Sequence, residues 1–95
     1  MRRLGRALPS LSVVPPGPNS QSLAVELAKF ESPGISTISA GDTPVFWERA
    51  AGANVMDADG NLYIDMTSAF GVASIGHAHP KVVRAITEQA KRLVH

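Results

Sequence analysis

The side chains with chemistry to offer gather in the second half of the chain. His77 and His79 stand two residues apart in Gly76-His77-Ala78-His79-Pro80. On a strand such a pair points the same way and binds a metal, with Asp65 as a third ligand. Proline directly after His79 marks a helix start instead, so the pair is read on a turn. There the imidazoles offer hydrogen bonds to the free N–H groups of the first helical turn, and no metal site is expected. Asp57, Asp59 and Asp65 are the carboxylates available for paired acid–base work. Asp59 is accounted for by a turn, and Asp57 and Asp65 sit at hairpin margins where solvated carboxylates are common. Ser68 and Ser74 lack a nucleophile-elbow context. Lys29, Lys81 and Lys91 all fall on polar sides of expected helices, where an amine is neither desolvated nor poised. No G-x-G-x-x-G and no GK[ST] precedes the helix at Pro80, so no phosphate cradle is expected there. The chain by itself therefore offers no catalytic residue.

The elements that must position these groups centre on a hairpin. Asn54-Val55-Met56-Asp57 and Leu62-Tyr63-Ile64-Asp65 are strand-favouring runs separated by Ala58-Asp59-Gly60-Asn61. An Asp-Gly pair between two such runs marks a tight turn, because glycine accepts the positive φ and aspartate tolerates it. Val55 and either Leu62 or Ile64 are expected on one face, with Asn54, Asp57 and Asp65 at polar margins. Val45 to Arg49, which holds the single Trp, supplies a third strand and completes an antiparallel meander. Asn19 to Glu31 reads as a helix capped by Asn19 or Ser20, with Leu23, Leu27 and Phe30 as its packing face. Ile35 to Gly41 is a loop or short edge strand. A second helix runs from about Pro80 to Val94 and docks through Val82 or Val83, Ile86, Ala90 and Leu93; Arg84, Glu88 and Arg92 alternate in sign on its other side. Met1 to Pro18 is an Arg-rich leader. An organelle transit peptide is the alternative, but the proline density counts against the amphipathic helix of such peptides. The leader therefore reads as a flexible arm, and residues 19–95 carry the fold.

Taken in order, these pieces resemble the N-terminal part of the class III aminotransferases, which are pyridoxal-phosphate enzymes. The resemblance rests on Gly52-Ala53-Asn54-Val55-Met56-Asp57-Ala58-Asp59-Gly60-Asn61-Leu62-Tyr63-Ile64-Asp65, then Ser68-Ala69-Phe70-Gly71-Val72. It continues through Gly76-His77-Ala78-His79-Pro80-Lys81-Val82-Val83, Ala85-Ile86 and Gln89, and covers roughly Pro44 to His95. It implies an α+β fragment: an N-terminal helix, a three-stranded antiparallel meander and a following helix, as in the small-domain part of a fold-type I transferase. In the complete enzyme it implies pyridoxal 5'-phosphate, a small-molecule amino donor, a 2-oxo acid acceptor and a cytoplasmic homodimer. Aminomutases and some decarboxylases share this architecture and stand as alternatives.

The cofactor chemistry needs a Schiff-base lysine and an acidic partner for the ring nitrogen. None of the three lysines matches the family's lysine motif, so the cofactor-binding domain is expected to lie outside this stretch. The stretch is expected to be inactive by itself. The chain halts at Leu93-Val94-His95 without a glycine or proline stop and reads as cut or prematurely terminated. Phe70, Gly71 and Val72 are the residues the resemblance assigns to the substrate pocket: Phe70 as an apolar wall, Gly71 leaving room beside it. The alternative places Phe70 in the core.

Composition sets the bounds. A 95-residue chain makes one small domain at most, and with 5% aromatic content it has few large anchors for a core. A formal net charge of +1 speaks against a nucleic-acid binder. The absence of cysteine excludes a disulfide framework and thiolate metal sites, and is compatible with a reducing compartment. No apolar run reaches the ~20 residues of a membrane span. A non-catalytic docking piece, presenting its helices to another subunit, is the rival from a different functional class.

Overall fold

The computed structural model describes residues 4–32 and 42–95. A short 3-10 turn, Leu4–Arg6, precedes helix α1, Pro18–Phe30. Strands β1 (Trp47–Ala51), β2 (Asn54–Asp57) and β3 (Leu62–Ile64) follow, then helix α2 (Pro80–Ala90). The strands form one antiparallel meander in the order β1-β2-β3, which is the α+β arrangement expected. The expected extended stretch Ile35–Gly41 lies outside the described residues.

Register corrects the expected pairing of faces. Val55 stands opposite Tyr63, and Leu62 opposite Met56, so neither Leu62 nor Ile64 shares a face with Val55. Side chains alternate along a strand, and a shift of one residue exchanges the two faces. Strand β1 begins at Trp47 rather than Val45 and carries a bulge between Trp47 and Arg49. The β2–β3 connection is also wider than a two-residue turn. Asp57 N–H donates to the Asn61 carbonyl (3.0 Å) across Ala58–Asn61, and only Gly60 takes the positive φ, at 83°.

The core is small and largely polar. Val55 and Ala51 are its buried apolar residues, while Ser20, Asn54, Asp57 and Asn61 are buried beside them. Among the described residues no buried side-chain nitrogen or oxygen lacks a partner. That satisfaction is what makes such a core tolerable, since an unpaired buried polar group costs about 1–3 kcal/mol. Much of it comes from the segment expected to be a flexible leader. Asn54 Nδ2 donates to the carbonyls of Leu4 and Ala7 at 2.7 Å each. Asn61 Oδ1 accepts from the N–H groups of Ser12 (2.7 Å) and Val13 (3.0 Å), and Ser10 exchanges backbone bonds with Leu62. Buried amides thus hold the described part of this arm, from Leu4 on, along the sheet.

Helix α1 is capped from a distance rather than by Asn19 or Ser20. Its N-cap is Gly17, and the Asp59 carboxylate accepts from the N–H groups of Asn19 (2.7 Å) and Ser20 (3.0 Å). A Cβ on Gly17 would overlap that carboxylate, so the residue must be glycine for the approach. The helical faces are less covered than expected. Leu23 and Phe30 of α1 are exposed, as are Val82, Val83 and Ile86 of α2 and Leu93 beyond it. Helix α2 ends at Ala90, short of Val94, and the expectation that it docks within this chain does not hold. Among the described residues no helix is long and apolar enough to cross a membrane.

Candidate functional site

Two of the groups singled out for chemistry, Asp65 and His77, meet where β3 leads into loop 66–76 and the chain returns toward α2. Asp65 is the hub. Its Oδ1 accepts from Thr67 N–H (2.9 Å), Thr67 Oγ1–H (3.0 Å) and Ser68 N–H (3.0 Å), and its Oδ2 lies 2.6 Å from His77 Nε2. The carboxylate side chain is only 3% exposed, so it is not the solvated hairpin margin expected. The bond to the His77 ring, followed by the Thr67 N–H, holds its pKa down from 3.8 to about 2.

His77 is fixed on three sides. It pairs with Gly52 through two backbone bonds, Gly52 N–H to its carbonyl at 2.9 Å and its own N–H to the Gly52 carbonyl at 2.8 Å. Its ring meets Trp47 edge to face, with centroids 5.8 Å apart and planes at 86°. His79, by contrast, caps α2, with Nδ1 accepting from Lys81 N–H at 3.3 Å. The expectation that both imidazoles serve the helix N-terminus holds for His79 only. The two rings are committed to different partners rather than aimed together at one point.

Between the two anchors the backbone does something no residue type announced. Ser68, Ala69 and Phe70 have φ of 53°, 50° and 57°, and Gly71 continues at 90°: a left-handed turn. Only glycine visits this region freely; each other residue bears roughly 1–2 kcal/mol there. The turn is closed by N–H bonds from Gly71 (3.0 Å) and Ala73 (2.9 Å) to the Ser68 carbonyl. It projects Phe70 and Val72 outward, both exposed. Among the described residues nothing buries the Phe70 ring, so it takes no part in the small core around Val55. Strain of this kind concentrates at functional sites, which makes the turn the part of this segment to examine for function.

A cleft of about 560 Å³ opens beside His77, among Gly5, Arg6, Ala51, Gly52, Ile75 and His79. Phe70, Gly71 and Val72 do not line it. A second hub lies in the hairpin. Burial pushes the Asp57 carboxyl up, but bonds from Asn61 Nδ2 (2.9 Å), Tyr63 Oη (2.8 Å) and the N–H groups of Asn61 and Asp59 outweigh it, and the net shift is downward. Burial, then the Asp57 bond, raises the Tyr63 hydroxyl. Every lone pair Asp57 can offer is taken up by the fold, so it is not free for acid–base work.

No lysine of the chain is set up to hold an aldehyde cofactor. Lys29 is exposed and paired with Glu26 at 3.1 Å, and Lys81 and Lys91 are exposed as well. These residues do not fit a Schiff-base site.

A family model described as aminotransferase class III matches residues 36–95, more than half of the chain. The chain belongs to the class III aminotransferases. Pyridoxal phosphate is the cofactor of that family. Among relatives, a glutamate-1-semialdehyde 2,1-aminomutase of Desulforapulum autotrophicum is 40% identical over 73% of this chain and 17% of its own length. The enzyme of the same name from Chloroflexus aurantiacus (strain J-10-fl) is 56% identical over 55% of this chain and 12% of its own length. Among solved structures, the acetylornithine aminotransferase of Elizabethkingia anophelis aligns with a TM-score of 0.66 and 32% identity, over 81% of this chain and 19% of that one. The chain thus spans less than a fifth of the class III proteins it matches.

Proposed function

We propose that the chain is the substrate-side N-terminal segment of a pyridoxal-phosphate-dependent aminomutase of the class III family. The observation that carries this reading is the grade of likeness. Relatives named glutamate-1-semialdehyde 2,1-aminomutase reach 40% and 56% identity, against 32% for the acetylornithine aminotransferase. A 2,1-aminomutase exchanges an amino group and a carbonyl between neighbouring carbons of one substrate, so atoms balance without a second reactant. The Ser68–Val72 turn supplies an apolar wall, Phe70, to the substrate pocket, with Gly71 leaving space beside it. The exposed apolar residues of α2 are covered, in this reading, by the rest of the protein and a second copy of it.

The Schiff-base lysine and the phosphate-binding groups come from outside these residues, in keeping with the exposure of Lys29, Lys81 and Lys91. The second reading is a transaminase that passes an amino group from a small donor to a 2-oxo acid. The likeness to an acetylornithine aminotransferase supports it. Turnover by the intact native protein separates the two. Supplied with glutamate 1-semialdehyde and no 2-oxo acid, an aminomutase turns over continuously. A transaminase stops after one equivalent and resumes only when a 2-oxo acid is added.

A further inference from the structure

We propose that Asp65 and His77 form a clamp that holds loop 66–76 closed and keeps its left-handed turn in the shape that presents Phe70. They are positioning residues, and this rests on the reading of Ser68–Val72 as the substrate-side segment.

The geometry is that of a drawstring. The loop leaves β3 at Asp65 and returns at His77, and the two side chains join its ends at 2.6 Å. The other oxygen of the same carboxylate takes three bonds from Thr67 and Ser68, the residues that lead into the turn. One carboxylate therefore binds the start of the turn and the end of the loop together. His77 cannot yield easily, because Gly52 holds its backbone and Trp47 its ring. The clamp faces a real load. Three successive non-glycine residues stand in the left-handed region, where each is strained, and that strain persists only where the surroundings over-determine it. Among the described residues nothing packs on the exposed Phe70 and Val72 to supply that constraint from outside. Within the loop the Ser68 carbonyl closes the turn through the Gly71 and Ala73 N–H groups, and the bonds converging on Asp65 are what ties that turn to the rest of the fold.

The test uses the intact native protein and two readouts. The first is amide hydrogen exchange by mass spectrometry over loop 66–76, with β2 and β3 as internal reference. In His77→Ala the loop amides are expected to exchange at least roughly ten-fold faster while β2 and β3 keep their protection, since local opening is independent of global unfolding. His77→Gln, whose amide N–H reaches the same place as Nε2–H, is expected to restore protection. Asp65→Ala serves if His77→Ala does not fold. Unchanged loop exchange overturns the clamp, and so does a loss spread equally over β2 and β3, which would make the pair a general brace.

The second readout is the split between KM and kcat with glutamate 1-semialdehyde. His77→Ala is expected to raise KM by roughly ten-fold or more, the scale of a displaced positioning group, with a smaller change in kcat. Phe70→Ala is expected to do the same, and the double variant to add nothing further. A Phe70→Ala protein with unaltered kinetics and intact loop exchange would sink the substrate-side reading while leaving the mechanical clamp standing. A loop that opens in His77→Ala without moving KM would overturn the positioning role.

Discussion

Two aspartates in this chain make the same kind of hub and put it to opposite uses. Asp57 gathers the β2–β3 connection: N–H groups at positions 59 and 61, the Asn61 amide and the Tyr63 hydroxyl converge on it, and it is fully buried. Asp65 gathers loop 66–76 through Thr67, Ser68 and His77. Around Asp57 the chain folds inward: Asp59 caps α1 and Asn61 receives the N-terminal arm. Around Asp65 it folds outward, with Phe70 and Val72 exposed on a strained turn. A carboxylate with N–H partners fixes a loop in either case; what the loop then presents decides whether the result is a core or a surface ready for a ligand.

The sharpest way to break the comparison is to remove each hub. Asp57→Ala strands the Tyr63 hydroxyl, the Asn61 amide and two N–H groups, and is expected to cost about 3 kcal/mol or more, read as the shift in urea midpoint of the intact protein. An Asp57→Ala protein of nearly wild-type midpoint would show that the polar core is dispensable. Next in size is the distant cap. Gly17→Ala forces the Asp59 carboxylate off α1 and Asp59→Ala deletes it; each is expected to cost about 1–2 kcal/mol, and the pair together little more than either alone. Fully additive losses in a double-mutant cycle would mean that the two residues act separately.

Acid distinguishes the hubs more gently. The Asp65 pKa falls from 3.8 to about 2 on folding, so the folded chain binds fewer protons than the unfolded one between those values. Stability from this group is therefore complete above about pH 4 and is lost as pH falls through about 2. Asp57 is shifted in the same direction. Denaturation midpoints measured from pH 5 down to pH 2 are expected to decline, and the decline to be shallower in His77→Ala; an identical slope would exclude His77 as the cause of the shift. The smallest expected effect on stability belongs to Phe70→Ala. With its ring exposed, the change is expected to stay within about 0.5 kcal/mol. A larger loss would mean that Phe70 is packed in the intact protein.

Much of the outline was legible. The Asp-Gly pair between two β-rich runs marked the meander, Pro80 after His79 marked the start of α2, and the order of these motifs carried the family resemblance. The local signals were readable because turn residues and helix starts act on their own backbone. The errors have one origin as well. Asp57, Asp65 and Asn54 look like marginal, solvated polar residues in a strand reading. Their burial comes from partners such as Leu4, Ala7, Tyr63 and His77 that no local pattern assigns to them. The proline-rich arm reads as free because its prolines forbid a continuous helix, yet amides at Asn54 and Asn61 hold it. The stripes on α1 and α2 suggest docked faces, but spacing reveals an apolar face and never what covers it.

By itself the sequence determined the class of elements, their order and the family, because each depends on residue type and near-neighbour spacing. Only the tertiary structure decided that Asp59 caps a helix 40 residues earlier, with Asn19 as the N–H partner. It also decided that Asp65 meets His77 across a loop, and that Ser68 to Phe70 turn left-handed. The physical reason is common to all three. A carboxylate takes whichever donors the folded chain brings within 3 Å, and a strained backbone persists only where such bonds hold it.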